Sequence, residues 1–165
     1  MTEEITYPDL VIPFEASFTS PIDKVWACIS DFGGWGKWYS HYTECKVIGD
    51  GIAKIGAIAK AISAKTNVTY EIVLLVRDPA EHTYTYGVVR RDPHIPWIKN
   101  QVNSYCVVSI GENESQVTGT ITVTPNCQVS EEAFEQYKSA VLAGFKSLFS
   151  GLEEYLNSQK QSSQN

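Results

Sequence analysis

The chain of 165 residues lacks the features that mark a metal, redox or nucleic-acid site. Its four cysteines, Cys28, Cys45, Cys106 and Cys127, are widely spaced and form no CxxC pair, although zinc sites and redox dithiols need close pairs. Only 19% of the residues are charged and the net charge is -6, whereas phosphate binding needs clustered Lys and Arg. No apolar run is long enough to cross a bilayer. We therefore predict no metal, no cofactor, no nucleic-acid partner and no stable membrane insertion.

The domain organisation and the cellular location are also predicted from features that the sequence lacks. The sequence contains no internal repeat and no linker, so we predict one domain over 1–165, with a core of about 11–157 and a frayed Gln- and Ser-rich tail at 158–165. The first residues, Met1 to Glu4, lack the apolar segment of a secretory signal. We expect a cytoplasmic protein with reduced thiols. The oligomeric state is not indicated.

Aromatic residues, in contrast, are abundant. The chain has nine Tyr, six Phe and four Trp. Such side chains bury much apolar area, and Tyr and Trp also have a polar end that can contact a ligand.

The first third of the chain predicts one strand followed by two short helices. Val11 to Thr19 alternates between apolar and polar residues, which is typical of a half-buried strand. Ser20 and Pro21 are suited to a helix cap and a first helical position. An apolar stripe from Ile22 to Phe32 follows at helical spacing. We expect Gly33-Gly34 to end this helix and Trp35 to Ser40 to form a second one.

The remaining sequence predicts a meander of strands and then one long helix. The strands are expected at 44–48, 55–64, 67–77, 83–89, 99–110 and 116–124, with short connections that favour antiparallel pairing. Ser130 is expected to cap a helix of about six turns. The fold class is therefore α+β, a helix-grip fold in which a curved antiparallel sheet of about seven strands wraps around the long C-terminal helix.

Several motifs resemble those of a known superfamily over about Val11 to Leu156. They are Ser20-Pro21-Ile22-Asp23-Lys24-Val25-Trp26 leading to Ile29-Ser30-Asp31-Phe32, then Trp38-Tyr39, Ile55-Gly56, and Asp78-Pro79-Ala80-Glu81-His82-Thr83-Tyr84-Thr85-Tyr86. The chain resembles START-like lipid-transfer domains, pollen allergens of the birch type, and bacterial polyketide cyclases or dehydratases. The resemblance implies a pocket between the sheet and the long helix. Function has to be argued from the site, since one fold hosts many functions.

The chain also resembles the plant abscisic-acid receptors, in which a ligand-anchoring Lys precedes a His that matches His41. Here that position is Ser40, and the receptors' Gly-Leu-Pro gate is missing from 63–69. A receptor of that kind is therefore not predicted.

Strand alternation predicts which side chains line the pocket. The set Val68, Tyr70, Ile72, Leu74 and Val76 is apolar and should face inward. If the alanines of the preceding strand also face inward, small side chains leave room for a ligand. The alternative is that these residues are ordinary core. The predicted ligand-binding residues are Trp38, Tyr42, Ala59, Ala61, Tyr70, Ile72, Tyr84, Tyr86, Val88, Trp97, Tyr105, Phe134, Tyr137, Val141 and Phe145.

Two segments are predicted to form the mouth of this pocket, residues 35–42 and 90–97. Trp97 lies in a loop between Pro96 and Ile98 and would act either as a lid or as a residue packed on the rim. The run Arg90-Arg91-Asp92 is either a solvated surface cluster or a contact for an acidic ligand.

The catalytic candidates are few, so two functions remain open. His41 lies beside the predicted mouth and is the best general acid or base, with Tyr86 as a second candidate. The first hypothesis is a protein that binds an apolar small molecule such as a lipid, polyketide or terpenoid. The alternative is a cyclase, dehydratase or isomerase that acts on such a molecule by proton transfer. Whether the protein is an enzyme stays open at this point.

Overall fold

A computed structural model describes residues 2–163. Within them one sheet of seven antiparallel strands has the order β1-β7-β6-β5-β4-β3-β2. The elements in chain order are β1 (Leu10–Phe18), α1 (Ile22–Ile29), a 3-10 helix (Trp35–Lys37), β2 (Tyr42–Val47), β3 (Ile58–Ser63), β4 (Val68–Asp78), β5 (Thr83–Asp92), β6 (Ile98–Gly111), β7 (Glu114–Pro125) and α2 (Glu131–Ser162). The predicted helix-grip fold is confirmed.

The sheet is a meander from β2 to β7, and β1 pairs with β7 at the far edge. Consecutive strands pair because their connections are short. The core lies between the concave face of this sheet and the helices, with Ile12, Val25, Leu74, Ile121 and Leu152 fully buried. No helix of residues 2–163 is long and apolar enough to span a membrane.

Helix α1 differs from the prediction at both ends. Ser20 does not cap it: Pro21 is the N-cap residue and no side chain caps the helix. The Ser20 carbonyl instead accepts a hydrogen bond from Ser115 Oγ at 2.8 Å, which ties the helix start to β7. The helix ends at Ile29, before the two glycines, and both the amide and the hydroxyl of Ser30 donate to the Trp26 carbonyl, at 2.9 and 2.7 Å.

Two strands depart from simple alternation. Strand β3 begins at Ile58 rather than at the predicted residue 55, because Ile55 lies in a turn beside Gly56, whose φ is +88°. In β4 the register shifts between Leu74 and Val76. The extra residue turns Val76 away from the core, so the prediction that Val76 faces inward is wrong. Val76 is 41% exposed, whereas Leu74 is fully buried.

Helix α2 begins as predicted and is longer than predicted. Ser130 Oγ accepts a hydrogen bond from the Ala133 amide at 3.1 Å, which satisfies one of the free N–H groups of the first turn. The helix continues through Ser162, past residue 157 where fraying was expected, and the rest of that tail, 164–165, lies outside the described residues. Its buried side chains, Leu148, Phe149, Leu152 and Leu156, all belong to the second half.

Candidate functional site

The concave face of the sheet carries the residues that strand alternation predicts to point inward. Ala59 and Ala61 of β3 are almost fully buried, and they lie opposite Ile72 and Tyr70 of β4. Directly opposed residues of neighbouring strands share a face. Ile72 in turn lies opposite Val88 of β5. These five residues therefore form one continuous patch on the concave side.

Under the second half of α2 this face is filled by aromatic rings. Tyr84 and Tyr105 are 1% and 2% exposed. Trp35 packs edge-on against Tyr105, with ring centres 5.8 Å apart, and its Nε1 donates to the Ile29 carbonyl at 3.1 Å. Trp38 lies against Trp35 at 5.4 Å. Tyr105 also contacts Phe145 of α2, with ring centres 6.2 Å apart.

Residues 35–42 were predicted to form part of the mouth, but the first three aromatic side chains of this segment are buried instead. Trp35, Trp38 and Tyr39 are each only 7% exposed. The Tyr39 hydroxyl also lies 3.1 Å from Ser147 Oγ of α2. The 3-10 helix directs these aromatic side chains into the core, where their apolar area is removed from water.

A chain of polar side chains crosses the otherwise apolar concave face. The Tyr137 hydroxyl of α2 donates to Gln101 Oε1 at 2.9 Å, and Gln101 Nε2 donates to Asn103 Oδ1 at 3.0 Å. Asn103 Nδ2 donates to the Tyr86 hydroxyl at 3.0 Å, which lies 2.7 Å from the Tyr105 hydroxyl. Residues 101, 103 and 105 share one face of β6 because side chains alternate along a strand.

At the end of this polar chain, one of the two tyrosine hydroxyl protons is left without an acceptor in the part of the chain that the structure describes. The Tyr86 and Tyr105 hydroxyl groups each have one proton, but their mutual hydrogen bond uses only one of the two. Among residues 2–163 the second proton has no acceptor, and both side chains are buried. Buried polar groups in native proteins are nearly always paired with protein, water or ligand. The pair can therefore donate to an acceptor oxygen brought by a bound molecule.

Burial keeps these tyrosines protonated at neutral pH. It raises the pKa of Tyr86 to about 12, although the hydrogen bonds from Tyr105 and Asn103 act in the opposite direction. Burial also raises the pKa of Tyr137 to about 12, and that of Tyr105 well above its ordinary value. Neutral phenols donate hydrogen bonds and do not act as bases.

The concave face is less completely covered under the first half of α2. Tyr70, Ile72 and Val88 of the sheet and Tyr137 and Val141 of the helix are only half-buried. We call the region of the concave face bordered by these five residues the chamber. The backbone of α2 approaches β1 and α1. Trp97 packs edge-on against Tyr137 with ring centres 5.2 Å apart and lies at the end of the chamber.

A second space lies on the other side of α2, along the free edge of β1. This groove has a volume of about 850 Å³ and is bordered by Phe14, Ala16, Leu142, Phe145 and Phe149, among other residues. We call it the β1 groove. Phe145 stacks on Phe14 with ring centres 4.7 Å apart and also lies 6.2 Å from Tyr105. Its ring therefore contacts both the groove and the aromatic layer.

The predicted site residues are distributed over these regions. Phe145 borders the β1 groove, and His41 lies apart, exposed, with its ring against Tyr39. Tyr42 packs edge-on against Tyr39 and lies opposite the buried Ser63 of β3, on the same face as Ala59 and Ala61. Phe134 packs against the same hydrophobic core. The residues gathered on the concave face or at its end are Trp38, Tyr42, Ala59, Ala61, Tyr70, Ile72, Tyr84, Tyr86, Val88, Trp97, Tyr105, Tyr137 and Val141.

The predicted site residues did not include Gln101 and Asn103, and Arg91 was named only within the run Arg90-Arg91-Asp92, as a surface residue or a contact for an acidic ligand. The signal for the first two was available, because alternation from Tyr105 along β6 places them on the same face. Arg91 could not be placed in this way, since a bulge in β5 changes the alternation before it. Arg91 lies over the Tyr70 ring, with its guanidinium carbon 5.8 Å from the ring centre.

All four cysteines are free. In the part of the chain that the structure describes, no group of three or more His, Cys, Asp and Glu side chains is placed to hold a metal ion.

The model of a family described as polyketide cyclase / dehydrase and lipid transport matches residues 14–156. The chain belongs to this family. The match covers β1 from Phe14 through all the later strands to Leu156 in α2. A comparison with curated proteins gives no match.

Solved structures share the fold of this family member at low sequence identity. A START superfamily protein from Mycobacterium smegmatis has a TM-score of 0.70 and 13% identity, covering 90% of this chain and 98% of its own. Ara h 8.0201 has a TM-score of 0.72 and 13% identity, covering 92% and 99%. Norcoclaurine synthase from Thalictrum flavum, in complex with dopamine and hydroxybenzaldehyde, has a TM-score of 0.72 and 12% identity, covering 94% and 90%. The predicted START-like resemblance is confirmed.

Proposed function

We propose that the protein binds an apolar small molecule, of the lipid, polyketide or terpenoid type, in the chamber between the sheet and α2. The observation that carries this proposal is the buried Tyr86–Tyr105 hydroxyl pair, which keeps one unused proton on an otherwise apolar face. A ligand with an apolar body and an acceptor oxygen satisfies that donor and covers the half-buried side chains at once. Ligand sites commonly combine an apolar lining with a few placed polar groups.

The family and the similar structures support this proposal. The family description includes lipid transport, and norcoclaurine synthase holds two small aromatic molecules in its solved complex. The free thiols fit a reducing compartment, and we propose that the protein acts in the cytoplasm.

A substitution that fills the chamber and leaves the outer face of the sheet unchanged tests this proposal. Val88 is half-buried at the chamber, whereas its neighbour Val89 is 55% exposed. We expect Val88→Trp to weaken binding of the neutral fluorescent probe N-phenyl-1-naphthylamine by about tenfold or more, because the new ring occupies ligand volume. Val89→Trp, the matched control, should bind the probe like the wild type. Circular dichroism and thermal unfolding check that both variants fold.

A third variant distinguishes the two spaces beside α2. Ala16→Trp fills the β1 groove, which Ala16 borders. Loss of probe binding in Ala16→Trp together with unchanged binding in Val88→Trp would place the ligand in the groove and contradict the chamber. No probe binding by the wild-type protein would contradict the proposed function as a whole.

The same hydroxyl pair supports a second candidate, a cyclase, dehydratase or isomerase. A neutral Tyr86 hydroxyl can donate to a substrate carbonyl and stabilise the negative charge that develops on its oxygen. We expect a bound aryl ketone to exchange its α-protons in D2O faster than the free ketone, and Tyr86→Phe to slow that exchange. His41→Ala, at the exposed position, is the parallel variant for the predicted acid-base role. Exchange no faster than for the free ketone would leave a binding protein.

A further inference from the structure

Strand β5 places the cationic side chain of Arg91 on the concave face of the sheet. Simple alternation along the strand would place this side chain on the outer face. Tyr84, Tyr86 and Val88 point inward, so Arg90 should be the next inward residue. The register with β4 shifts at this point, however: Val88 lies opposite Ile72, Arg90 opposite Glu71, and Arg91 opposite Tyr70. Such a bulge re-aims the following side chains. Arg91 therefore shares the face of Tyr70 and borders the chamber.

The contacts of Arg91 agree with this placement. Its guanidinium carbon lies 5.8 Å from the centre of the Tyr70 ring, and its Nη1 donates to the Pro93 carbonyl. The side chain is half-buried. The Tyr70 ring and the Pro93 carbonyl therefore fix the orientation of the guanidinium group. Several of its five N–H donors stay free.

No carboxylate neutralises this cation within residues 2–163. The four ion pairs there, formed by Lys37, Lys46, Lys54 and Lys99 with acidic side chains, contain no arginine. Glu71, the nearest acid along β4, lies opposite Arg90 and so belongs to the other face of the sheet. A half-buried guanidinium at an apolar chamber is thus left with unused donors, and a planar carboxylate fits its fork in two parallel hydrogen bonds.

We infer that the ligand is an amphipathic carboxylate whose apolar body lies in the chamber and whose carboxylate pairs with Arg91 at the Trp97 end. This inference rests on the proposed function and narrows its ligand class. The polar chain from Tyr137 to Tyr105 then lies along the buried part of the ligand, where an additional oxygen of the ligand can accept the unused hydroxyl proton.

The test compares two molecules that share a twelve-carbon chain and differ in the head group, which is a carboxylate in one and a neutral hydroxyl in the other. Dodecanoate and 1-dodecanol compete with N-phenyl-1-naphthylamine for the wild-type protein, for Arg91→Gln and for the matched control Arg90→Gln. We expect the wild type to prefer dodecanoate by about tenfold or more, the range of a charge-assisted hydrogen-bonded pair. Arg91→Gln should abolish this preference by weakening dodecanoate binding while leaving 1-dodecanol unchanged. Arg90→Gln should retain the preference, because its side chain lies on the outer face.

The outcomes separate the inference from the function on which it rests. If the wild type binds both molecules equally, or if both arginine variants lose the preference to the same extent, the carboxylate inference is overturned and apolar binding stands. If neither the probe nor either molecule binds the wild type, the proposed function fails and the inference fails with it.

Discussion

Gly119 shows at the scale of one residue how tightly the sheet packs beneath α2. It lies in β7 opposite Phe14 of β1 and Tyr105 of β6. A Cβ atom at this position would lie 2.1 Å from the Ser104 carbonyl oxygen and 2.5 Å from Phe14 Cζ. Only the missing side chain allows the Phe14 ring to lie over the strand and stack on Phe145.

We therefore expect Gly119→Ala to lower the free energy of unfolding by about 1–3 kcal/mol, the usual range for overpacking.

Gly144 of α2 has room for a side chain, since a Cβ atom there would meet nothing within 4 Å. Gly144→Ala should raise the free energy of unfolding by about 0.5–1 kcal/mol through its helix propensity. Urea unfolding of the two variants measures both effects. An unchanged midpoint for Gly119→Ala would mean that the strands relax around the added methyl group.

At the scale of elements, bulges decide what reaches the chamber. The register shift in β4 turns Val76 outward, and the one in β5 brings Arg91 inward. Strand alternation was correct for Ala59, Tyr70 and Tyr86 because the extra residues of the two shifts, Leu75 in β4 and Val89 in β5, come after Tyr70 and Tyr86, and β3 pairs with β4 without a shift. It failed beyond the bulges because one extra residue reverses the faces of all later side chains.

Helix α2 has two halves that serve different purposes. The second half buries Leu148, Phe149, Leu152 and Leu156 and holds the helix on the sheet and α1. The first half keeps Phe134, Tyr137 and Val141 only half-buried. The Tyr137 hydroxyl of this half donates to Gln101 of β6, and the Tyr137 ring packs edge-on against Trp97, which precedes β6. Under the proposed function, ligand entry can thus disturb the first half without releasing the second.

At the scale of the whole molecule, buried tyrosines couple stability to alkaline pH. Burial raises the pKa of Tyr42, Tyr84, Tyr86, Tyr105 and Tyr137 in the folded protein, whereas in the unfolded chain they titrate near 10. Both states are neutral below about pH 10, so this contribution is then fully present. Above pH 10 the unfolded state loses protons first, and stability falls as pH rises toward the folded pKa.

The folded pKa of Tyr86 is about 12, so we expect this residue alone to contribute a fall of about 1.4 kcal/mol per pH unit in the free energy of unfolding between pH 10 and 12. Urea unfolding at several pH values from 8 to 11.5 measures the slope. Tyr86→Phe, which cannot ionise there, should show a shallower slope than the wild type. Equal slopes would mean that Tyr86 ionises as readily in the folded protein as in the unfolded chain.

The sequence alone determined the order of elements, the helix-grip fold and the inward set of small and aromatic residues. These depend on periodicity and turn residues, which are local properties of the chain. Only the tertiary structure decided that Trp35, Trp38 and Tyr39 close the core and that His41 is exposed. Only the tertiary structure shows that Gln101 and Asn103 form a hydrogen-bonded chain to Tyr86 and that Arg91 lies over the Tyr70 ring. Those placements depend on strand register and on the position of α2, which contacts between distant residues set and no local pattern contains.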